Sequence, residues 1–198
     1  MGFLRIQNIL MERKALIYTM LIRRDFASFG RNSILYPPFY SSNVTGVRVG
    51  EDCVISAGSW IYSIKEYAGT THDGHIHIGD GTYIGRYAHI IATQHVSIGN
   101  NVVIADGIYI SDNLHGLDNM KSRIFEQPLR NPGPVIIQDN VLLGEHVCVL
   151  PNVEIGEHSV VGSNSVVTKD VPAYSIAVGS PAMVIKRYDL KAKEWRRV

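Results

Sequence analysis

Between residues 111 and 134 the chain reads Ser-Asp-Asn-Leu-His-Gly-Leu-Asp-Asn, then a polar stretch, then Gln127-Pro128-Leu129-Arg130-Asn131-Pro132-Gly133-Pro134. His115 is the residue of this run best suited to proton transfer. Neutral imidazole titrates near working pH, so it can take a proton from a poor nucleophile such as an alcohol. The alternative is an exposed loop histidine with no role. Asp112 stands three residues earlier and can hold the imidazole tautomer or stabilise its protonated form. An Asp-Asn pair in a loop is equally a turn former, bonded to its own backbone.

A second group comprises His72, Asp73, His75 and His77, with His75 and His77 on one face of an expected strand. No third ligand stands at metal spacing, so no metal is expected.

The elements that must position these residues come from a repeat. From Ile78 to Pro181 an aliphatic residue recurs every six positions, often followed by Gly or Ala: Ile78-Gly79, Ile84-Gly85, Ile98-Gly99, Ile104-Ala105, Leu143-Gly144, Ile155-Gly156 and Val161-Gly162. The register runs through 137, 143, 149, 155, 161 and 167, and through 78, 84 and 90, then 98, 104 and 110. Fainter copies begin at Val49, Ile55 and Ile61. Small or short residues hold the fifth place: Thr82, Ala88, Val102, Val141, Val147, Ser159 and Ser165. This period matches neither a helix nor simple strand alternation, so short strands must alternate with tight turns. The expected fold is an all-β solenoid whose coils stack at about 4.8 Å and bury a continuous aliphatic core. The repeat fails at 62–77 and at 111–134, and loops can leave such a stack without disturbing it. Three prolines and a glycine near its end make 111–134 an extruded loop.

Composition fits one soluble unit of 198 residues, 45% of them hydrophobic. A net charge of +1 gives no electrostatic case for nucleic acid. Cys53 and Cys148 lie far apart and carry no metal spacing, which suggests a reducing cytoplasm. Residues 1–30 form a capping segment, 31–182 the solenoid and 183–198 a C-terminal cap or tail. Ile6, Ile9, Leu10, Leu16, Ile17, Met20 and Leu21 lie near helical spacing, so an amphipathic helix is expected to cover the open strand edges of the first coil. The alternative is peripheral contact of that stripe, with Arg23 and Arg24, with the inner face of a membrane.

The run Gly99-Asn100-Asn101-Val102-Val103-Ile104-Ala105, from which His115 follows without a gap, resembles that of the galactoside and maltose acetyltransferases, within the hexapeptide-repeat acyltransferases. The segments Ser163-Asn164-Ser165-Val166-Val167-Thr168-Lys169-Asp170-Val171-Pro172 and Ala177-Val178-Gly179-Ser180-Pro181-Ala182 resemble the acetyl-coenzyme A segment of that family. The resemblance implies a left-handed parallel β-helix of triangular section, against the usual right-handed crossover preference. It implies acetyl-coenzyme A as acyl donor, with Gly144, Gly162, Ser163, Thr168 and Lys169 at coenzyme-binding positions. Lys186 and Arg187 are further cations that can meet phosphate, or a solvated basic surface. The implied oxyanion donor is a backbone N–H near Gly144 or Glu145, and His115 takes the place of the catalytic histidine.

Met183 replaces a common Lys or Arg, Leu142 a common Trp, and Gly85 an acceptor-binding Asn of the galactoside enzymes, so a different acceptor is expected. The run from Phe29 to Pro38, the run from Ile55 to Trp60 and the Asp-Asn-x-x-His-Gly motif resemble the O-acetyltransferases of lipopolysaccharide, capsule and exopolysaccharide synthesis. The expectation is therefore O-acetylation of a sugar hydroxyl in surface polysaccharide synthesis. The alternative is N-acylation of a nucleotide- or lipid-linked amino sugar. By the same resemblance the enzyme is a homotrimer with sites between subunits. Tyr62, Tyr67 and His72 are candidates for acceptor contact. Nothing resembles the zinc histidines of the carbonic anhydrases built on this fold, and a sugar nucleotidyltransferase, which would need a separate nucleotide-binding domain upstream, is not expected.

Overall fold

Burial follows the hexad. In the computed structural model, which describes residues 2–198, Ile55, Ile61, Ile78, Ile84, Ile90, Ile98, Ile104, Ile110, Leu143, Val149, Ile155, Val161 and Val167 are all 0% exposed. The short residues at the fifth place are buried as well. Where they carry a hydroxyl, it closes a corner: Thr82 donates to the Gly99 carbonyl at 2.8 Å and Ser159 to the Pro172 carbonyl at 2.8 Å.

The chain visits three sheets in turn. The first contains Ser28–Phe29, Val47–Val49, His75–Ile78, His95–Ile98, Val135–Ile137 and Val153–Ile155. The second contains Ile34–Leu35, Val54–Ile55, Tyr83–Ile84, Val103–Ile104, Leu142–Leu143, Val160–Val161 and Ser175–Gly179. The third contains Trp60–Ser63, His89–Ala92, Tyr109–Ser111, Cys148–Val149 and Val166–Val167. Pairing between coils is parallel, with Ile137 beside Ile155, Leu143 beside Val161 and Val149 beside Val167. Ile78 pairs with Ile98, Ile84 with Ile104 and Ile90 with Ile110. That earlier coil is two residues longer, and the surplus falls at Thr93-Gln94, between the third and first sheets. Period and pairing fit the left-handed parallel β-helix.

Corners turn through left-handed residues, and Asn or Asp supplies many of them: Asn32, Asp52, Asn101, Asn140, Asn152 and Asn164 have φ between 53° and 60°. Their short polar side chains tolerate that region better than branched ones.

The helix α1, Phe3–Ile22, covers an open edge of the first coil, but on a different face from the expected stripe. Ala15 and Thr19 are buried, and Tyr18 and Ile22 pack against the core. The Thr19 hydroxyl accepts from the Leu35 N–H at 2.9 Å and donates to the Ala15 carbonyl at 2.8 Å. Arg23 donates to the Phe29 carbonyl at 3.0 Å. Ile6, Leu10, Leu16, Ile17, Met20 and Leu21 are exposed, and Ile9 is half-buried. The reason is steric: a small residue and a hydroxyl let the helix approach a strand edge that the larger aliphatics would hold away. No helix among the described residues is long and apolar enough to cross a membrane. At the other end the chain folds back antiparallel as Ala182–Asp189 and Glu194–Arg197, so residues 183–198 extend the second sheet.

Candidate active site

Both interruptions of the repeat leave the solenoid at the corner between the third and first sheets. The smaller forms a hairpin, Glu66–Tyr67 paired with Thr70–Thr71, turning on Ala68 and Gly69 at φ 47° and 72°. Two left-handed residues in sequence suit the tight turn of a hairpin. Its base is tied to the coil: His72 N–H donates to the Lys65 carbonyl at 2.9 Å, and Ile64 N–H to the Ala92 carbonyl at 2.8 Å. Lys65 contacts Asp73 at 2.7 Å, and His75 contacts it at 3.1 Å. The hydrogen bond from Lys65 and then that from His75 hold the Asp73 carboxyl below the usual carboxylate range. His75 and His77 face outward on one strand, as their spacing requires.

The larger excursion has a neck. Leu114 and Arg130 exchange backbone bonds of 3.0 and 2.8 Å. Gln127 is buried and bonds the Asn119 N–H and carbonyl at 3.0 and 2.9 Å. Gly116 lies so close to the Pro128 carbonyl that a side chain there would collide with it. His115 sits at this neck, exposed, with Nδ1 3.3 Å from the Tyr67 hydroxyl and the two rings edge-on at 5.7 Å.

Asp112 does not partner His115. It is fully buried, and both carboxylate oxygens are used elsewhere. Oδ1 accepts from the Thr93 N–H at 2.8 Å, the Thr93 hydroxyl at 2.9 Å and the Asn113 amide at 3.1 Å. Oδ2 accepts from the Gln94 and His95 N–H groups, each at 2.7 Å. The two surplus residues at 93–94 leave a corner with backbone donors to satisfy, and Asp112 satisfies them.

The expected coenzyme residues fall into separate groups. Gly144 and Gly162 follow second-sheet strands at the next corner, with Ser163 exposed beside them. A Cβ on Gly144 would lie 2.6 Å from the Ser163 backbone nitrogen, so coil stacking alone requires this glycine. The Gly144 N–H already donates to the Val161 carbonyl at 2.8 Å, while Glu145 N–H makes no bond among the described residues. Thr168 and Lys169 are exposed beyond the third-sheet strand Val166–Val167, and Lys169 has no carboxylate partner among the described residues. Lys186 and Arg187 are consecutive in an antiparallel strand, half-buried and exposed in alternation, so they point to opposite faces and cannot meet one phosphate together.

Across the outer face of the third sheet runs a row of Trp60, His89, Tyr109 and Cys148. His89 stacks on Trp60 at 4.4 Å and meets Tyr109 edge-on at 5.2 Å. Burial pushes its imidazole pKa down. Sequence reasoning did not single out this wall.

Comparison with known proteins agrees with this architecture. Residues 134–169 match the family described as bacterial transferase hexapeptide (six repeats), and residues 40–63 and 75–112 match the hexapeptide repeat of succinyl-transferase. The segments between these matches fall within the two excursions. Galactoside O-acetyltransferase of Escherichia coli (strain K12) is 30% identical over 180 residues, covering 88% of this chain and 70% of that protein. A protein of Staphylococcus aureus (strain COL) with a provisional acetyltransferase name is 54% identical over 57 residues, so the match spans 29% of its length. Among solved structures, a variant of AntD, an N-acyltransferase from Bacillus cereus in complex with dTDP-4-amino-4,6-dideoxyglucose and coenzyme A, shares the fold. Its TM-score is 0.70 at 20% identity, over 88% of this chain and 90% of that one. A hexapeptide-repeat-containing acetyltransferase of Vibrio cholerae O1 biovar eltor, complexed with acetyl coenzyme A, gives a TM-score of 0.50 at 25% identity, over 87% of this chain and 76% of that one.

Proposed function

The chain belongs to the hexapeptide-repeat acetyltransferases, and from that premise we propose that it transfers the acetyl group of acetyl-coenzyme A to a sugar hydroxyl in surface polysaccharide synthesis. The observation that carries this reading is the exposed imidazole of His115, held at the neck of a rooted excursion from an otherwise regular coil. Acetyl-coenzyme A supplies an activated thioester carbon. His115 takes the proton of the acceptor hydroxyl as its oxygen attacks that carbon, then gives the proton to the departing sulfur. The Glu145 N–H, left without a protein acceptor, is the oxyanion donor in this reading, in preference to the occupied Gly144 N–H. Lys169 and Thr168 meet the phosphate end of the coenzyme, where charge-assisted bonds are strong. In this reading the pantetheine arm lies along the coil beside the corner that Gly144, Gly162 and Ser163 share.

The test is thiol release from acetyl-coenzyme A with sugars, amino sugars, nucleotide sugars and oligosaccharide repeat units as acceptors. Turnover is expected with a hydroxyl acceptor. Turnover with amines alone would move the reaction to N-acylation and overturn the O-acetyl reading.

Sites between subunits of a homotrimer are part of this proposal. The outer row of the second sheet supports them, since Ile34, Val54, Tyr83, Val103, Leu142, Val160 and Ile176 lie in register and all are apolar. Tyr83, Val103 and Leu142 are 42%, 46% and 42% exposed in the single chain. The equivalent row of the first sheet reads Arg48, His77, Ser97, Ile136 and Glu154. A continuous exposed apolar strip signals an interface. The native mass in solution is expected to be three chains, and Val103→Asp with Leu142→Asp to give monomers without turnover. A wild-type monomer with full activity would remove the shared-site picture.

A further inference from the structure

We propose that Tyr67 is a positioning residue for His115: its phenolic oxygen accepts the Nδ1–H bond, which keeps that proton on Nδ1 and leaves the Nε2 lone pair free for the acceptor hydroxyl. This rests on the reading of His115 as general base. An imidazole can accept a proton at Nε2 only if Nδ1 already carries one, and an Nδ1–H turned toward protein needs an acceptor. Asp112, the carboxylate nearby in sequence, is consumed by the Thr93-His95 corner. The group that the fold puts at Nδ1 is the Tyr67 hydroxyl, at 3.3 Å, with its ring edge-on to the imidazole. When Nε2 gains the acceptor's proton, the Nδ1–H bond to Tyr67 becomes charge-assisted and strengthens as the ring turns cationic.

The same contact explains why the repeat breaks twice. Both excursions are rooted on adjacent residues of one coil. The hairpin that carries Tyr67 hangs from the Ala92 carbonyl through the Ile64 N–H, at 2.8 Å. The excursion that carries His115 grips the Thr93 N–H through Asp112, also at 2.8 Å. The two roots therefore share a rigid reference, and Ile64 and His72 are both buried at the base of the hairpin. The Lys65–Asp73–His75 chain braces that base further. Beyond its base, the hairpin adds no buried side chain to the core at residues 66–71. Its ordered product is a tyrosine held against the one exposed histidine of the other excursion.

The test is Tyr67→Phe, which keeps the ring and removes only the oxygen, read alone and in combination with His115→Ala. In the otherwise native chain, turnover is expected to fall about tenfold, the size of one oriented hydrogen bond, with the KM for acetyl-coenzyme A and the melting temperature unchanged. In the His115→Ala background the same change is expected to alter the residual rate by less than about twofold, since its effect passes through the imidazole. The nitrogen chemical shifts of His115 should report one tautomer, protonated at Nδ1, in the native protein and a mixture in the Phe variant. Native turnover in Tyr67→Phe beside a disabled His115→Ala would overturn this inference and leave the general base intact. A tenfold loss that persists without the imidazole, or unchanged nitrogen shifts, would likewise overturn it. Full turnover in His115→Ala would remove the general base itself and the positioning role with it.

Discussion

His115→Ala is expected to lose at least about a hundredfold in turnover while binding acetyl-coenzyme A as tightly as the native chain, the usual scale of a missing general base. The separation of the two effects follows from where the residue stands. It is exposed, and its recorded side-chain bond is to the Tyr67 hydroxyl, so truncation opens no cavity and leaves no buried group unpaired. The residues expected to hold the coenzyme lie on later coils, Gly144, Gly162 and Ser163 at a different corner and Thr168 and Lys169 at the same one. Melting temperature should therefore stay at the native value, and the whole loss should appear in kcat. Retention of full turnover would exclude His115 from the chemistry. A loss confined to KM would make it a binding residue instead.

Asp112 is expected to behave in the opposite way. Its carboxylate satisfies three consecutive backbone N–H groups and the Thr93 hydroxyl from a fully buried position. In Asp112→Ala these donors lose their acceptor, for about 3 kcal/mol after water reaches the outer ones, or a fall in Tm of about 6–12 °C at this chain length. Asp112→Asn should lose nearly as much, because its amide offers one acceptor oxygen and turns two donors toward a corner already full of donors. Thermal unfolding of the two variants decides the matter. If Asp112→Asn melts like the native protein but turns over slowly, the carboxylate acts in catalysis and not as a clamp.

The hexads were legible because the period is a geometric demand: one inward aliphatic at each turn of the coil, and Ile78, Ile98 and Ile137 align whatever their neighbours are. The partnership of Asp112 was not legible, although its cause stood in the sequence. The eight-residue step from Ile90 to Ile98 marks two surplus residues at Thr93-Gln94, yet only the folded corner shows that their N–H groups, with that of His95, converge on a carboxylate seventeen to nineteen positions away. The helix misled for another reason. Its larger aliphatics form the stronger pattern, whereas docking selected the small Ala15 and the hydroxyl of Thr19. Lys186 and Arg187 looked like a pair along the chain and were separated by strand alternation. Tyr67 lies 48 positions from His115, in a segment with no periodicity, so nothing in its spacing could announce the contact.

The stacked third sheet also acts as a ruler. The strand that launches the His115 excursion, Tyr109–Ser111, and the strand that precedes Lys169, Val166–Val167, are separated by the single strand Cys148–Val149. Two strand spacings set the level of His115, the proposed base, about 10 Å along the axis from the level of Lys169, the proposed phosphate contact. Because coils touch only their neighbours, the count of coils between the two levels can change without altering either one. A chain carrying one extra copy of residues 137–154 should remain folded while carrying Lys169 one notch, about 5 Å, further from His115, and lose turnover if the proposed coenzyme site is right.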